Sequence, residues 1–290
     1  MARDAAPVAR QVSAALSSSP IADDHRAASA ALRRCVPAVH PFHVAAYTPA
    51  TIDAARSWWA KMMRTEYESS SVFTDLALQM RQIDAPIDVQ ASTLRMAFEE
   101  LRHAELCGIV LDALGTDAVI TAPPVLRVVV HPDCSLEETV LRNVIYGCCL
   151  SETVNAARLA KWTEQTRDPF IREMFRQLAA DERFHAQFGY FYLETRREWL
   201  AARTEVRQSL ARYLRFTFAQ LEQHMGANPP NARPPTDEER AIGLPDLSDT
   251  SATFQETMLN ACIPGLERFG IEAGAAWTAR TSAETAPPTI

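Results

Sequence analysis

Two segments of the chain place a glutamate three residues before a histidine. MAFEELRHAE contains Glu100 and His103, and LAADERFHAQ contains Glu182 and His185. On an α-helix, residues i and i+3 lie on one face, with their Cβ atoms about 5–6 Å apart. Each pair could therefore bind one metal ion together. A single Glu-X-X-His is weak evidence, because most such pairs are solvated, but two in one chain predict a shared site.

Two further glutamates complete a pattern suited to a pair of metal ions. Dinuclear carboxylate sites take a Glu-X-X-His from each of two helices and one more Glu from each of the other two. Glu152 has small or apolar neighbours in GCCLSETVNAARLA, and Glu66 shares an apolar stripe with Trp59 and Phe73. Glu68 points about 160° away from Glu66 at about 100° per residue, so Glu66 is the better candidate. The predicted metal ligands are Glu66, Glu100, His103, Glu152, Glu182 and His185.

The residue types in this pattern favour iron or manganese. Four carboxylates neutralise two divalent cations, and two imidazoles complete a mixed oxygen and nitrogen shell. Buried carboxylates without partners would each cost several kcal/mol, and metal is the simplest compensation. An alternative for Glu152 alone is a salt bridge to Arg158.

An acidic residue precedes each paired glutamate. These residues are Glu99 and Asp181. A metal-binding imidazole usually donates its other N–H to an acceptor. We therefore predict that each of the two accepts this hydrogen bond from the histidine on the opposite helix. The alternative is that both are surface charges.

Four long helices must position these residues, and the sequence carries start and stop signals for each. Thr48, followed by proline, opens the first helix, and the breaker DAP separates it from the second, which ends at Gly115. A Ser-X-X-Glu capping box at Ser135 opens the third helix. Asp168, followed by proline, opens the fourth. Two helical hairpins joined by one long middle connection predict an all-α four-helix bundle.

The bundle is expected to occupy only part of the chain. We assign residues 1–47 to an N-terminal extension and residues 48–203 to the bundle. Residues 204–270 are expected to form additional helices that pack on the bundle, and residues 271–290 a flexible tail.

Composition narrows the class of protein and its partners. The chain has 290 residues, 47% of them hydrophobic, and a net charge of −7, which argues against a nucleic-acid partner. No long uninterrupted apolar run or secretion signal is evident, which argues against a membrane span. The six cysteines include no Cys-X-X-Cys pair. We interpret them as reduced, mostly buried thiols of a cytoplasmic protein.

Residues 50–200 resemble the ferritin-like superfamily of diiron carboxylate proteins. The motifs that carry this resemblance are EYESSSVFTDLALQ, EELRHAELC, SETVNAARLA and ADERFHAQ. The run from Glu152 to His185 also resembles the p-aminobenzoate N-oxygenase family. Members of that family carry an extra histidine one turn before the last paired glutamate, where this chain has Leu178. This departure argues against aromatic-amine N-oxygenation.

The resemblance implies two bound iron ions, with a manganese–iron pair as the alternative, and O₂ as co-substrate. The long segments around the bundle could form the walls of a pocket. Gly189 and Ala156, one turn after His185 and Glu152, could leave room for a substrate, although close helix packing explains them equally well. These features predict an oxidase or monooxygenase that acts on a small organic substrate, with an external electron donor and a homodimer both compatible. The alternatives are a ferroxidase or iron-handling protein and, less favoured by the acidic charge, a tRNA hydroxylase.

Overall fold

The computed structural model describes residues 10–13, 41–122, 128–227 and 233–280, with single helical positions at 21, 23 and 27. Four helical rods form its centre, which confirms the all-α class. Three of them are α1 (Pro49–Gln82), α2 (Ile87–Ala113) and α5 (Pro169–Thr195). The remaining rod runs through α3 (Leu136–Val144), a π-helical segment (Ile145–Glu152) and α4 (Thr153–Gln165).

The rods begin and end where the sequence signals lie. The Thr48 and Ser135 hydroxyls accept hydrogen bonds from the backbone N–H groups three residues later, at 3.4 and 3.3 Å. Asp168 caps α5 by accepting from two backbone N–H groups. After α2, Gly115 has φ of 73°, a conformation that favours glycine. The caps at Thr48, Ser135 and Asp168 satisfy donors that the first helical turn leaves without partners.

The bundle core divides into two apolar clusters along its length. On α1, Trp59 and Met63 belong to one cluster, whereas Phe73 and Leu76 belong to the other. The same change of cluster occurs along α2, α5 and the third rod. Glu66 lies between the two sets on α1. A polar layer therefore crosses the bundle between two apolar clusters, which supply the hydrophobic stabilisation on both sides.

The connection between α2 and α3 contains a short strand that was not predicted. Strand β2 (Val119–Ala122) pairs antiparallel with β1 (Arg10–Ser13). Residues 10–13, part of the expected N-terminal extension of residues 1–47, therefore lie beside the connection that follows α2. Most of that extension lies outside the described residues.

The helices that follow α5 pack on the bundle. They are α6 (Arg197–Ala201), α7 (Thr204–Leu221), a π-helical segment (Glu222–Gly226), α8 (Asp237–Ala241), α9 (Leu247–Thr257), a second π-helical segment (Met258–Cys262), α10 (Ile263–Glu267) and α11 (Ala273–Thr278). The fourth helix was expected to run to about residue 203, but Arg196 leaves helical geometry and separates α5 from α6. No helix in the described part is both long and apolar enough to cross a membrane.

The flexible tail was predicted to start at residue 271, but residues Ala273–Thr278 form helix α11. Trp277 on α11 is buried and its ring lies 5.3 Å from that of Phe218 and 6.3 Å from that of Phe254. This aromatic contact holds residues 273–278 against α7 and α9, which is why they form a helix. Residues 281–290 lie outside the described part of the chain.

Candidate metal centre

The polar layer brings the six predicted ligands together. Two groups of donor atoms, each within 4.8 Å of one another, come from Glu66, Glu100, His103 and Glu182, and from Glu100, Glu152, Glu182 and His185. Glu100 and Glu182 belong to both groups. We call Glu66 with His103 the Glu66 half, and Glu152 with His185 the Glu152 half. The shared carboxylates lie between two positions that could each hold a cation.

The two imidazoles present the same nitrogen to the carboxylates. His103 Nδ1 lies 3.4 Å from a carboxylate oxygen of Glu66, 3.4 Å from one of Glu182 and 3.7 Å from one of Glu100. His185 Nδ1 lies 3.1 Å from Glu100 and 3.4 Å from Glu182. The ring centroids are 5.8 Å apart. The arrangement is close to a twofold repeat, as expected when two similar hairpins each supply half of a site.

Several atoms at the centre of this cluster have no hydrogen-bond partner. They are buried, and they include Nδ1 of both histidines, Oε1 of Glu100 and Oε2 of Glu182. Buried polar groups are nearly always hydrogen-bonded, because losing water without gaining a partner costs about 1–3 kcal/mol for each group. Convergent oxygen and nitrogen atoms of this kind fit metal coordination better than a protein hydrogen-bond network.

Acidic residues lie behind both histidines. Asp181 Oδ2 is 3.1 Å from His103 Nε2, and Glu99 Oε2 is 3.0 Å from His185 Nε2. Each contact crosses the bundle, from α5 to α2 or from α2 to α5. When Nε2 carries the proton and donates a hydrogen bond to the carboxylate, the Nδ1 lone pair is left facing the cluster. Arginines extend these contacts, with Arg102 against Asp181 and Arg95 2.8 Å from Glu99.

Comparison with known families places this geometry in context. Residues 60–190 match the family model described as Rubrerythrin, which is part of the ferritin-like diiron superfamily. The four-rod region is a ferritin-like domain. Neither a curated protein nor a solved structure matches the chain significantly. A Rubrerythrin-like domain implies iron binding, whereas the resemblance to p-aminobenzoate N-oxygenases stays a prediction.

The carboxylates of the ferritin-like domain differ in how firmly they hold a proton. Burial raises the pKa of Glu66 to about 8 and raises that of Glu152 well above its usual range, with the neighbouring Glu182 charge adding to the effect. Burial also opposes ionisation of the shared Glu100 and Glu182, but the adjacent imidazoles of His103 and His185 outweigh it and lower both pKa values. Bound cations would take the place of the protons that the outer two carboxylates hold.

Glu152 lies in a part of the ferritin-like domain with unusual backbone. It is the last residue of the π-helical segment, a geometry that often marks functional positions. Asn155 Nδ2 donates to Glu152 Oε2 at 3.1 Å. Opposite this segment, a Cβ on Gly189 would lie 2.7 Å from Cys149 Sγ and 2.8 Å from Cys148 Cβ. Gly189 therefore serves close helix packing, the alternative to a space for substrate.

A cavity of about 260 Å³ reaches the Glu66 half of the centre. Glu66 and Glu182 form part of its wall, and neither Glu152 nor His185 does. Trp58 and Trp162 contribute aromatic surface, and their rings contact each other at 5.4 Å. Asn155, whose amide donates to Glu152, lies in the wall as well.

Three polar residues of the site were not anticipated. Arg95, Arg102 and Asn155 could have been found by spacing, because they lie four, one and three residues from Glu99, His103 and Glu152. Of the two glutamates of α1, Glu66 belongs to the cluster, whereas Glu68 pairs with Arg64 at 2.7 Å.

The cysteines beside the cluster are buried and free. Burial and the charge of Glu66 raise the pKa of Cys107 well above its usual range. Burial and the charge of Glu152 do the same for Cys148. Among the described residues, five cysteines are free thiols. Thiols kept protonated in this way are poor metal ligands, which favours a packing role for them.

Proposed function

We propose that this protein is a diiron oxidase or oxygenase that uses O₂ to oxidise a small organic molecule. The observation that carries the proposal is the cavity of about 260 Å³ whose wall includes Glu66 and Glu182. Ligand sites are typically concave and mostly apolar, with a few polar groups that fix orientation. An iron centre that served only iron storage or electron transfer would not require such a space beside its ligands.

The residues have separate tasks in this proposal. Glu66 and His103 would bind one iron ion, and Glu152 and His185 the other. Glu100 and Glu182 would bind both ions, since each belongs to both donor groups. The bound iron would supply the electrons that reduce O₂. Asp181 and Glu99 would hold the two imidazoles in the orientation and protonation state that metal binding requires.

The cavity determines which half of the centre meets a substrate. Because it borders Glu66 and not Glu152, a bound molecule would lie beside the Glu66 half. Trp58, Met62 and Trp162 offer apolar surface that excludes water from this side. Exclusion of water strengthens electrostatic interactions in the site and limits unproductive reaction of activated oxygen.

The charge of the cavity supports an organic substrate over iron as substrate. Besides the predicted ligands Glu66 and Glu182, the charged residues that line it are Lys61 and Arg158, so a ferrous ion entering by this route would pass two positive charges. A ferroxidase or storage protein is better served by an entrance lined with carboxylates, which attract cations. A ferroxidase is the alternative function, and the experiments must distinguish it from the proposed oxidase or oxygenase.

The test combines metal analysis with O₂ consumption. The purified protein is expected to bind about two iron or manganese ions per chain, as the ligand number requires. Chemically reduced protein should consume O₂, and Glu182→Gln protein should not. A folded protein that takes up no metal under these conditions would refute the proposal.

A second measurement separates the enzyme from the iron-handling alternative. A ferroxidase would consume O₂ in proportion to ferrous iron added beyond two ions per chain. It would also assemble into a large hollow particle if it stored iron, which light scattering detects. The proposed enzyme should show neither behaviour.

A further inference from the structure

Arg158 is a half-buried cation in the wall of the cavity. It lies on α4, six residues after Glu152. The backbone oxygen of Met225 accepts a hydrogen bond from one of its terminal nitrogens. Its Nε atom is buried and has no hydrogen-bond partner. No carboxylate within the described part of the chain pairs with it, so most of its donors are available to another molecule.

The expected internal partner of Arg158 is engaged elsewhere. Glu152, the nearest acidic residue before it on the same rod, accepts from Asn155 and belongs to the metal cluster. The alternative reading of Glu152 as the salt-bridge partner of Arg158 is therefore not what the structure contains. Lys161, three residues further along α4, differs from Arg158 because it faces Asp249 at 3.5 Å.

Holding a cation in this position has an energetic cost. Burial lowers the pKa of Arg158 to about 10, which leaves it charged at neutral pH. Buried charges are usually paired, because the loss of hydration is not otherwise compensated. An anion that enters the cavity would supply the missing partner. A guanidinium group is suited to this task, since its planar fork matches the two oxygens of a carboxylate.

The rest of the cavity wall suits an apolar body. Trp58, Met62, Leu159 and Trp162 line it together with Arg158. A volume of about 260 Å³ is just below the range for ligand sites, which is roughly 300–1,000 Å³. The site is therefore matched to a single ring or a short chain.

We propose that the cavity binds a small organic monocarboxylate, with its carboxylate on Arg158 and its apolar body beside the Glu66 half. This inference deepens the proposed function and rests on it for the reaction, but the binding itself does not depend on turnover. Lys61, which is exposed at the same cavity, adds a second positive charge that favours entry of an anion.

Titration calorimetry with matched probes tests the assignment. Phenylacetate and phenylacetamide have nearly the same shape and differ in charge. The purified protein, with its metal content measured, should bind the acid at least about tenfold more tightly than the amide, as a charge-assisted bidentate contact implies.

Three variants locate the contact. Arg158→Gln should bind the acid and the amide within about twofold of each other, whereas Arg158→Lys should keep part of the preference because it keeps the charge. Lys161→Gln is the matched control on the same helix and should behave as the unmodified protein. Helical circular dichroism and metal content should be unchanged in all three, which shows that the variants are folded.

The results that would overturn this inference are distinct from those that would overturn the proposed function. If Arg158→Gln protein kept the same preference for the acid over the amide as the unmodified protein, the carboxylate would bind the metal ions or another group. Absence of phenylacetate binding would also overturn it. A protein without metal that keeps an acid preference dependent on Arg158 would refute only the proposed function.

Discussion

The Glu66 half and the Glu152 half of the centre contain the same residue types but lie in different surroundings. Glu66 is on a regular α-helix, its side chain is 13% exposed, and it borders the cavity. Glu152 ends a π-helical segment, is more deeply buried, and receives a hydrogen bond from Asn155. The contacts behind the histidines differ too, since Arg102 is buried and Arg95 is half-exposed.

This difference separates two requirements that a diiron enzyme must meet. The near-twofold repeat of ligands serves the binding of two cations, which needs similar donors on both sides. In the proposed enzyme, the unequal surroundings would serve access, since a substrate needs an entrance on one side and a sealed wall on the other. The comparison can be tested by changing residues of each half separately.

The largest effect is expected when a shared carboxylate is removed. Glu182→Gln takes an oxygen ligand from both halves, so metal content should fall from about two ions per chain to near zero. Elemental analysis of the purified variant measures this. Glu68→Gln is the control, because Glu68 pairs with Arg64 outside the cluster. Retention of one ion at full occupancy would show that the halves bind independently.

A second expectation concerns the pH dependence of metal binding. Below about pH 8 the Glu66 carboxyl holds a proton that a cation must displace, so affinity should rise as pH increases towards that value. The rise should be about tenfold per pH unit for each proton displaced. Anaerobic titration with Mn²⁺ at several pH values measures it.

Both halves should contribute to this titration. Glu66→Gln should remove the share of the pH dependence below about 8 that the Glu66 proton contributes. Burial and the Glu182 charge also raise the pKa of Glu152, so displacement of its proton should make the affinity of the Glu152 half increase with pH as well. An affinity independent of pH in the unmodified protein would contradict the assigned protonation of the carboxylates.

Removing the acceptors behind the histidines should weaken one half at a time. Asp181→Asn should affect the Glu66 half and Glu99→Gln the Glu152 half, each by about 10–100-fold in metal affinity. The loss should be greater for Asp181→Asn, because its partner Arg102 is buried. Exposed Glu164→Gln serves as the control. Equal weakening of both ions by either variant would argue against separate roles.

The smallest effect is expected from a change in helix packing. Gly189→Ala would place a methyl group against Cys148 and the backbone of Cys149, and should reduce the free energy of unfolding by about 1–3 kcal/mol. Gly147→Ala is a matched control in the π-helical segment, because no atom beyond the adjacent residues and the backbone of its own helix lies within 4 Å of the added carbon. Urea denaturation of the two variants gives the comparison. Equal stability would mean that α5 moves aside at no cost.

Spacing along the helices was sufficient to group the site residues. Glu-X-X-His places two donors on one helical face whatever the rest of the fold does, because the period of an α-helix is fixed. The apolar stripe around Glu66 and the small neighbours of Glu152 indicated which faces point inward. The structure brings these residues into one layer, with Asp181 and Glu99 on the opposite histidines.

Features that depend on contacts between distant segments could not be derived in this way. The Ile145–Glu152 segment has an ordinary helical sequence, and its π geometry is seen only in the folded backbone. The free donors of Arg158 become evident only in the structure, where Glu152 accepts a hydrogen bond from Asn155 and does not pair with Arg158. Helix α11 exists because Trp277 packs on residues far away in the chain.

Anomalous diffraction from crystals of the iron-loaded protein tests the central claim most directly. The claim is that six side chains in one polar layer hold two ions, with Glu100 and Glu182 between them. Data collected at the iron absorption edge should show two peaks in that layer, one beside His103 and one beside His185. A single peak, or iron bound elsewhere while the layer shows none, would contradict the account.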